Sequence, residues 1–304
     1  MMSAPIMTST SFHEHKSPIG QRFCKISEFV HVDAEYKEVF TRLGLTSIDS
    51  VFSFNVGKDP GGSVIPKYRS RLQFEIDRPA KTLFMKRYDR PVMSAQIKNW
   101  FWHGDRKSMM SCDLDPVEIL ASAGIRTPRA IAWGEQWGLL FEKRSFIITE
   151  KIQDAESLEK RLPPCLEEDV QHRWTSSIVG RRQFIRELGE FARKFHGTGY
   201  RHRDFYLCHI FYGNDGTFYL IDLQRVFKPG LPAERYRIKD IAQLHYSAPG
   251  GVFSRTDRLR FYKAYAGKSC LDRRDKTFIR KVIHKAERMA RHNRKHGVPV
   301  PFTG

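Results

Sequence analysis

The sequence predicts an α+β protein with two lobes, a small sheet-rich lobe followed by a larger helical one. Three observations lead there. Strand candidates gather between residues 50 and 150. Helical candidates with strong amphipathic spacing dominate after residue 181. A strand ending in Thr149-Glu150 stands at the join.

The elements are predicted in order along the chain. Residues 1–30 are polar, rich in Ser, Thr and His, without clear period, and are expected to form a mobile tail. After Asp33, AEYKEVFTRLGL predicts a short helix closed by Gly44. Strands are expected at Ser50–Asn55, Lys67–Ile76 and Thr82–Tyr88. The segment with Gly57, Gly61 and Gly62 lacks GxGxxG and reads as a hairpin turn rather than a phosphate-covering loop. Met93–Met110 is aromatic and basic and fits neither period. A helix at Pro116–Ala123 ends at Gly124, and strands follow at Pro128–Gly134 and Arg144–Glu150. Ser157–Leu162 begins a helix, and Pro163 to about Gly180 is a polar connection. In Arg181–Gly197, Phe184, Leu188, Phe191 and Phe195 share one helical face. Thr217–Leu223 is a strand, and everything after Ala233 reads as helices and loops. The organisation is therefore a tail (1–30), a first lobe (31–150), a second lobe (151–266) and a basic C-terminal helix and tail (267–304).

Charge sets the partner class. Of 304 residues, 52 are Lys or Arg and 34 Asp or Glu, a net charge of +18. Such an excess favours an anionic partner: nucleic acid, anionic lipid or a phosphorylated substrate. Arg273–Lys295 carries ten basic and two acidic residues. Its apolar positions Phe278, Val282, Ile283, Ala286, Met289 and Ala290 recur at helical spacing, so one face is expected to pack and the other to meet solvent or a membrane. No apolar run approaches the ~18 residues of a transmembrane helix. The N-terminus lacks a secretory pattern. Five scattered cysteines without a CxxC pair argue against disulfides and zinc and suit a reduced cytoplasm.

The chemistry concentrates in Tyr200–Phe227. His202-Arg203-Asp204 is followed by His209, a short turn, and Ile221-Asp222-Leu223. That is the layout of a kinase catalytic loop and a metal-binding strand end. Phosphoryl transfer needs one carboxylate to accept the proton of the attacking hydroxyl and another to hold Mg²⁺ on the phosphates, and Asp204 and Asp222 fit these roles. A buried strand-end aspartate is costly unless paired or metal-bound, and the plain alternative for Asp222 is a salt bridge to Arg225 or another base. His209 stands where protein kinases carry a metal-binding Asn. It is a metal ligand, a hydrogen-bond partner of phosphate or Asp222, or a satisfied core histidine. Lys86, mid-strand in LFMKRY, suits the α- and β-phosphates; the alternative is an exposed strand lysine. Such a lysine needs a carboxylate, and Asp113 and Glu118 both fall in the right interval. Backbone groups from Glu150 to Ile152, in the linker after SFIITE, suit an adenine edge.

HRDFYLCHIFY, LIDLQR, SFIITE with the later Ser157-Leu158-Glu159, and GIRTPRAIAWGE together resemble the lipopolysaccharide kinase family, which includes heptose and 3-deoxy-octulosonate kinases of Gram-negative bacteria. The resemblance runs from about residue 36 to 266 and is strongest over 124–245. It implies a protein-kinase-like bilobal fold and ATP- and Mg²⁺-dependent phosphorylation of a core sugar, heptose or 3-deoxy-octulosonate. It assigns Asp204, within the His202-Arg203-Asp204 motif, as catalytic base, Asp222 as the metal aspartate and Lys86 as the phosphate lysine, and makes His209 family-typical. Asp240 matches an aspartate that braces the catalytic loop, although a plain helix-terminal charge is the alternative. The family's helix glutamate falls on Asp113, one methylene shorter.

The implied partner is the lipid-linked lipopolysaccharide core, with peripheral contact to the anionic inner face of the inner membrane and a cytoplasmic location. Nucleic acid is not expected. Two other readings stand beside this one. One is a kinase of the same fold acting on a protein or small-molecule hydroxyl. The other is a non-catalytic basic binding protein, against which the intact set of Lys86, Asp204 and Asp222 argues.

Overall fold

A computed structural model describes residues 22–61, 65–77, 79–161, 178–230, 233–298 and 300–301. The first lobe is built on a six-stranded sheet in the order β1-β2-β5-β6-β4-β3, with every neighbouring pair antiparallel. Its strands are β1 (Phe23–Ser27), β2 (Val30–Asp33), β3 (Arg69–Asp77), β4 (Ala80–Asp89), β5 (Ala130–Trp137) and β6 (Glu142–Glu150). Strand period 2 divides β4 between two environments. Leu83 and Met85 enter a core with Phe74, Ile148 and the short helices α1 (Lys37–Arg42) and α2 (Ile48–Ser53). Lys86 and Tyr88 turn to the other face, where Tyr88 packs on Met109, Met110 and Ile147.

The second lobe packs helices around a small antiparallel sheet, β7 (Ala155–Ser157), β8 (Ile210–Gly213) and β9 (Phe218–Leu220). Helix α5 (Leu158–Arg161) follows β7, and α6 (Ile178–Gly197) buries Phe184, Leu188, Phe191 and Phe195 as its spacing predicts. Three further helices complete the lobe: α7 (Ala233–Ser247), α8 (Arg255–Ala266) and α9 (Arg273–Lys295). Helix α9 starts in a capping box between Asp272 and Asp275. It buries Phe278, Val282, Ala286 and Ala290 in the same core, so the basic helix is one wall of this lobe. Two more helices, α3 (Met93–His103) and α4 (Ser111–Ser122), lie between β4 and β5 in the chain.

Three sequence expectations are corrected. Part of the expected tail is ordered: β1 and β2 pair from Phe23 to Asp33, and Val30 and Val32 are fully buried where β2 joins β5. β1 itself is only half-buried, which left little apolar signal. Residues 1–21 lie outside the described residues, as do most of the expected 163–180 connection and Cys165.

Ser50–Asn55 is not a strand. Ser47 and Ser50 close a capping box that starts α2, and Ile48 and Val51 bury at helical spacing. The open carbonyls at its end are taken by Arg87, which donates to Val51, Phe52 and Phe54 at 3.1, 3.1 and 2.7 Å. Helix α4 also begins earlier than expected, at Ser111, which places Asp113 in its first turn.

Candidate active site

The His202-Arg203-Asp204 loop is held from beneath by α7. Asp240, fully buried, accepts the backbone N–H of His202 and of Arg203, both at 2.8 Å, and bonds the His196 ring at 3.2 Å. It lies mid-helix, so it is a brace and not a helix-terminal charge. Burial would raise its carboxyl, but the His196 bond and nearby donors hold it below the usual range. The Arg203 carbonyl receives Lys239 at 2.6 Å and Gln243 at 2.8 Å. Arg203 itself sits at φ +70°, a left-handed geometry that costs about 1–3 kcal/mol and persists because these bonds over-determine it. The His202 ring is buried and bonds the Ile221 carbonyl at 2.9 Å, tying the loop to the end of β9. Burial lowers its pKa, so the ring is neutral.

Beyond β9 the backbone turns left-handed again at Asp222, φ +56°, presenting its carboxylate to the cleft. Lys86 Nζ lies 3.2 Å from Asp222 Oδ1 and 3.1 Å from Asp113 Oδ1. Burial would lower the Lys86 pKa, but the two carboxylates outweigh it and hold the ammonium charged. Burial would likewise raise Asp222, yet Lys86, Arg69 and His209 keep it well below the usual carboxylate range.

Asp113 is therefore the lysine's partner. Its second oxygen receives the Tyr88 hydroxyl at 3.2 Å. Glu118 is half-buried five residues on, about 140° further round the helix. The salt bridge expected as the alternative for Asp222 is formed, with Lys86 and more distantly Arg69 rather than with Arg225. Arg225 Nη1 instead lies 2.7 Å from both oxygens of Asp204.

His209 bridges the two aspartates. Its Nδ1 bonds the Asp204 carbonyl at 2.7 Å, and its Nε2 stands 3.9 Å from Asp222 Oδ2. The ring therefore joins the loop backbone at Asp204 to the carboxylate side of Asp222. Glu150 turns its carboxylate away, accepting from Tyr36 at 2.5 Å and lying 3.6 Å from Arg129. The Glu150 N–H donates to the Arg129 carbonyl and the Lys151 N–H to the Thr82 carbonyl, both at 2.9 Å, so the sheet holds the start of this linker.

Sequence reasoning passed over four contributors. Tyr88 was findable, because period 2 puts it on the Lys86 face. Arg69, paired with Tyr88 across the strands, bonds Gln224 at 3.0 Å and reaches Asp222 at 3.9 Å. Trp102, in the unassigned aromatic segment, lies under the Arg203 guanidinium at 3.9 Å. Arg225 was weighed against the wrong aspartate. A separate cleft of about 870 Å³, between α6, α8 and α9, contains none of the site aspartates.

The chain matches a family model described as "Lipopolysaccharide kinase (Kdo/WaaP) family" over residues 63–265. It is 27% identical over 219 residues to lipopolysaccharide core heptose(I) kinase WaaP of Escherichia coli K12, covering 69% of this chain and 80% of that protein. It is 27% identical over 190 residues to the Pseudomonas aeruginosa WaaP, covering 60% and 69%. It is 25% identical over 173 residues to 3-deoxy-D-manno-octulosonic acid kinase of Stenotrophomonas maltophilia, covering 56% and 62%. A solved structure, "WaaP in complex with acyl carrier protein", superposes with a TM-score of 0.62 at 21% identity over 83% of this chain and 97% of the other, which establishes the fold. With a two-lobed fold, a braced HRD loop and a matched domain spanning more than half its length, the chain belongs to the lipopolysaccharide kinase (Kdo/WaaP) family.

Proposed function

We propose that this kinase transfers the γ-phosphate of ATP to a hydroxyl of the lipopolysaccharide inner core, on heptose first and 3-deoxy-octulosonate second. The supporting observation is the convergence of Lys86, Asp113 and Asp222 beside a second carboxylate, Asp204, on a rigid loop. Lys86 is placed to contact the α- and β-phosphates, and Asp113 to hold its ammonium in position. Asp204 is placed to take the proton of the acceptor hydroxyl as its oxygen bonds the γ-phosphorus and the bond to the β-phosphate breaks, releasing ADP. Arg225, bonded to both Asp204 oxygens, holds that carboxylate in place and leaves each oxygen a further lone pair for the proton.

The residues at Asp222 fit Mg²⁺. Among the described residues no group of three or more His, Cys, Asp or Glu forms a closed metal cage. Mg²⁺ in kinases is held by one or two protein groups together with substrate phosphates and water, which suits Asp222 with His209 at its side. When bound, the ion screens the charge that develops on the transferred phosphoryl oxygens.

The net charge of +18 favours an anionic acceptor and a peripheral position on an anionic membrane. No helix among the described residues is long and apolar enough to cross a membrane.

The test is incubation with Mg²⁺-ATP and phosphate-stripped core lipopolysaccharide, followed by mass spectrometry of the released core. One added phosphate on heptose is expected. Addition on the octulosonate would select the second acceptor, and no addition, with phosphate instead transferred to a protein or small molecule, would overturn the reading.

A further inference from the structure

Helix α3 carries an apolar stripe that faces solvent. Met93, Ile97 and Phe101 recur every four residues and are 62%, 53% and 80% exposed. Natural soluble surfaces scatter such residues singly, and a contiguous run marks a contact site. The stripe does not end with the helix. Phe141, in the tight turn between β5 and β6, stacks on Trp100 at 5.5 Å with the rings 10° apart. That contact brings the turn's tip alongside α3, and the tip residues Leu139 and Leu140 are exposed as well.

Cations flank this surface. Arg90, Lys98 and Lys143 are exposed, and Arg106 lies over the Trp137 ring at 4.5 Å. None of the four has a carboxylate partner among the described residues, whereas Arg144 nearby is fully paired with Asp49 and Asp89. Apolar side chains surrounded by unpaired cations, with indole rings at the margin, are the pattern of a helix lying in the headgroup region of an anionic bilayer. A protein partner of opposite charge would satisfy the cations but not require a fully exposed leucine tip.

The same helix reaches the catalytic loop. Trp102, one residue beyond the stripe, holds the Arg203 guanidinium at 3.9 Å, and Arg203 precedes Asp204. We propose that α3 and the β5–β6 tip form the membrane-docking face, seating the protein so that a lipid-linked sugar reaches Asp204. This rests on the acceptor reading above for its purpose, but not for its binding test. It also moves the membrane contact from α9, whose apolar face is buried in the second lobe, to α3.

The experiment is co-sedimentation of the full chain with phosphatidylglycerol-containing vesicles and with neutral phosphatidylcholine vesicles, at low and at high salt. Salt screens a purely charged contact strongly but leaves apolar insertion in place. The wild type is expected to prefer anionic vesicles and to retain binding at high salt. Phe101→Ser/Leu139→Ser should lose about tenfold or more in vesicle affinity, because two large apolar insertions are removed. Arg280→Gln/Arg288→Gln on the outer face of α9 should change it less than about twofold at high salt. Both variants replace exposed side chains, so unchanged melting temperatures are expected.

In the activity arm, Phe101→Ser/Leu139→Ser should keep its rate on a water-soluble, delipidated core acceptor and lose rate on the same acceptor embedded in vesicles. Vesicle binding unchanged in this variant, or lost only in the α9 variant, overturns the proposal. So does a concentration-dependent dimer that Phe101→Ser abolishes, which would make the face a contact between copies. The vesicle arm needs neither ATP nor acceptor, so its failure is separable from failure of the proposed kinase activity.

Discussion

Replacing Lys86 with Met tests which carboxylate the lysine serves. Its ammonium is the charged donor to Asp113, which is 6% exposed and, among the described residues, otherwise receives the Tyr88 hydroxyl. Removing one member of a buried pair strands the other at a cost of about 3–5 kcal/mol. The lysine side chain is 24% exposed, so water recovers part of that, and about 2–3 kcal/mol remains. For a chain of this size that corresponds to a melting temperature lower by about 3–5 °C. The assay is a double-mutant cycle in thermal and urea unfolding. Lys86→Met/Asp113→Asn should regain about 1–2 kcal/mol over the sum of the single changes, since the stranded charge is gone. Lys86→Met/Glu118→Gln should be additive within about 0.5 kcal/mol. Coupling to Glu118, or additivity with Asp113, would refute the geometry described here.

Other expectations concern pH and the Asp204 carboxylate. Glu142 is buried, accepts the Met109 N–H at 2.7 Å, and its carboxyl is pushed up by burial from 4.5 to about 7. Between those values the folded state holds a proton that the unfolded state lacks. Its contribution therefore falls as pH rises through that window, a loss of about 3 kcal/mol when complete. Glu142→Gln should raise the melting temperature at pH 8 and leave it nearly unchanged at pH 5; an equal gain at both would contradict this. His196 and His202 work in the opposite sense. Burial lowers their pKa values, so their contribution is complete above about pH 6.5 and declines as pH falls below it. Scanning the wild type from pH 7 to 5 should show a falling melting temperature that His196→Gln makes shallower. The Arg225–Asp204 pair is partly exposed, with Arg225 48% open, so Arg225→Ala should cost under about 1 kcal/mol. It should nevertheless change kcat by about threefold or more, because it removes the partner that both Asp204 oxygens bond; an unchanged kcat would exclude Arg225 from any influence on that carboxylate.

Much of this architecture was legible in the sequence where one physical signal dominated. The α6 face is an unbroken apolar stripe, and Asp204, His209 and Asp222 follow each other at a spacing the loop geometry demands. Lys86 was visible because it interrupts the apolar run of its strand, LFMKRY. Legibility failed where tertiary contacts decide. Ser50–Asn55 has strand composition, yet a serine capping box and the distant Arg87 make it a helix. Choosing between Asp113 and Glu118 needed the true start of α4, which Pro116 masked by mimicking a first-turn proline. Trp102 sat in a segment whose apolar residues face two ways, toward the catalytic loop and toward solvent, so no single period described it. The Asp204–Arg225 pair joins residues 21 apart across a turn, and charge pairing of that kind has no local signature.

The most direct measurement is transfer of labelled γ-phosphate from Mg²⁺-ATP to core lipopolysaccharide by the wild type, Asp204→Asn and Asp222→Asn, each checked for native melting. The account predicts incorporation by the wild type and a loss of about 10²-fold or more in both variants. Asp204→Asn should still be stabilised thermally by ATP, and Asp222→Asn should lose the Mg²⁺ dependence of that stabilisation. Wild-type rates in a folded Asp204→Asn protein would contradict the assignment of these carboxylates to the chemistry.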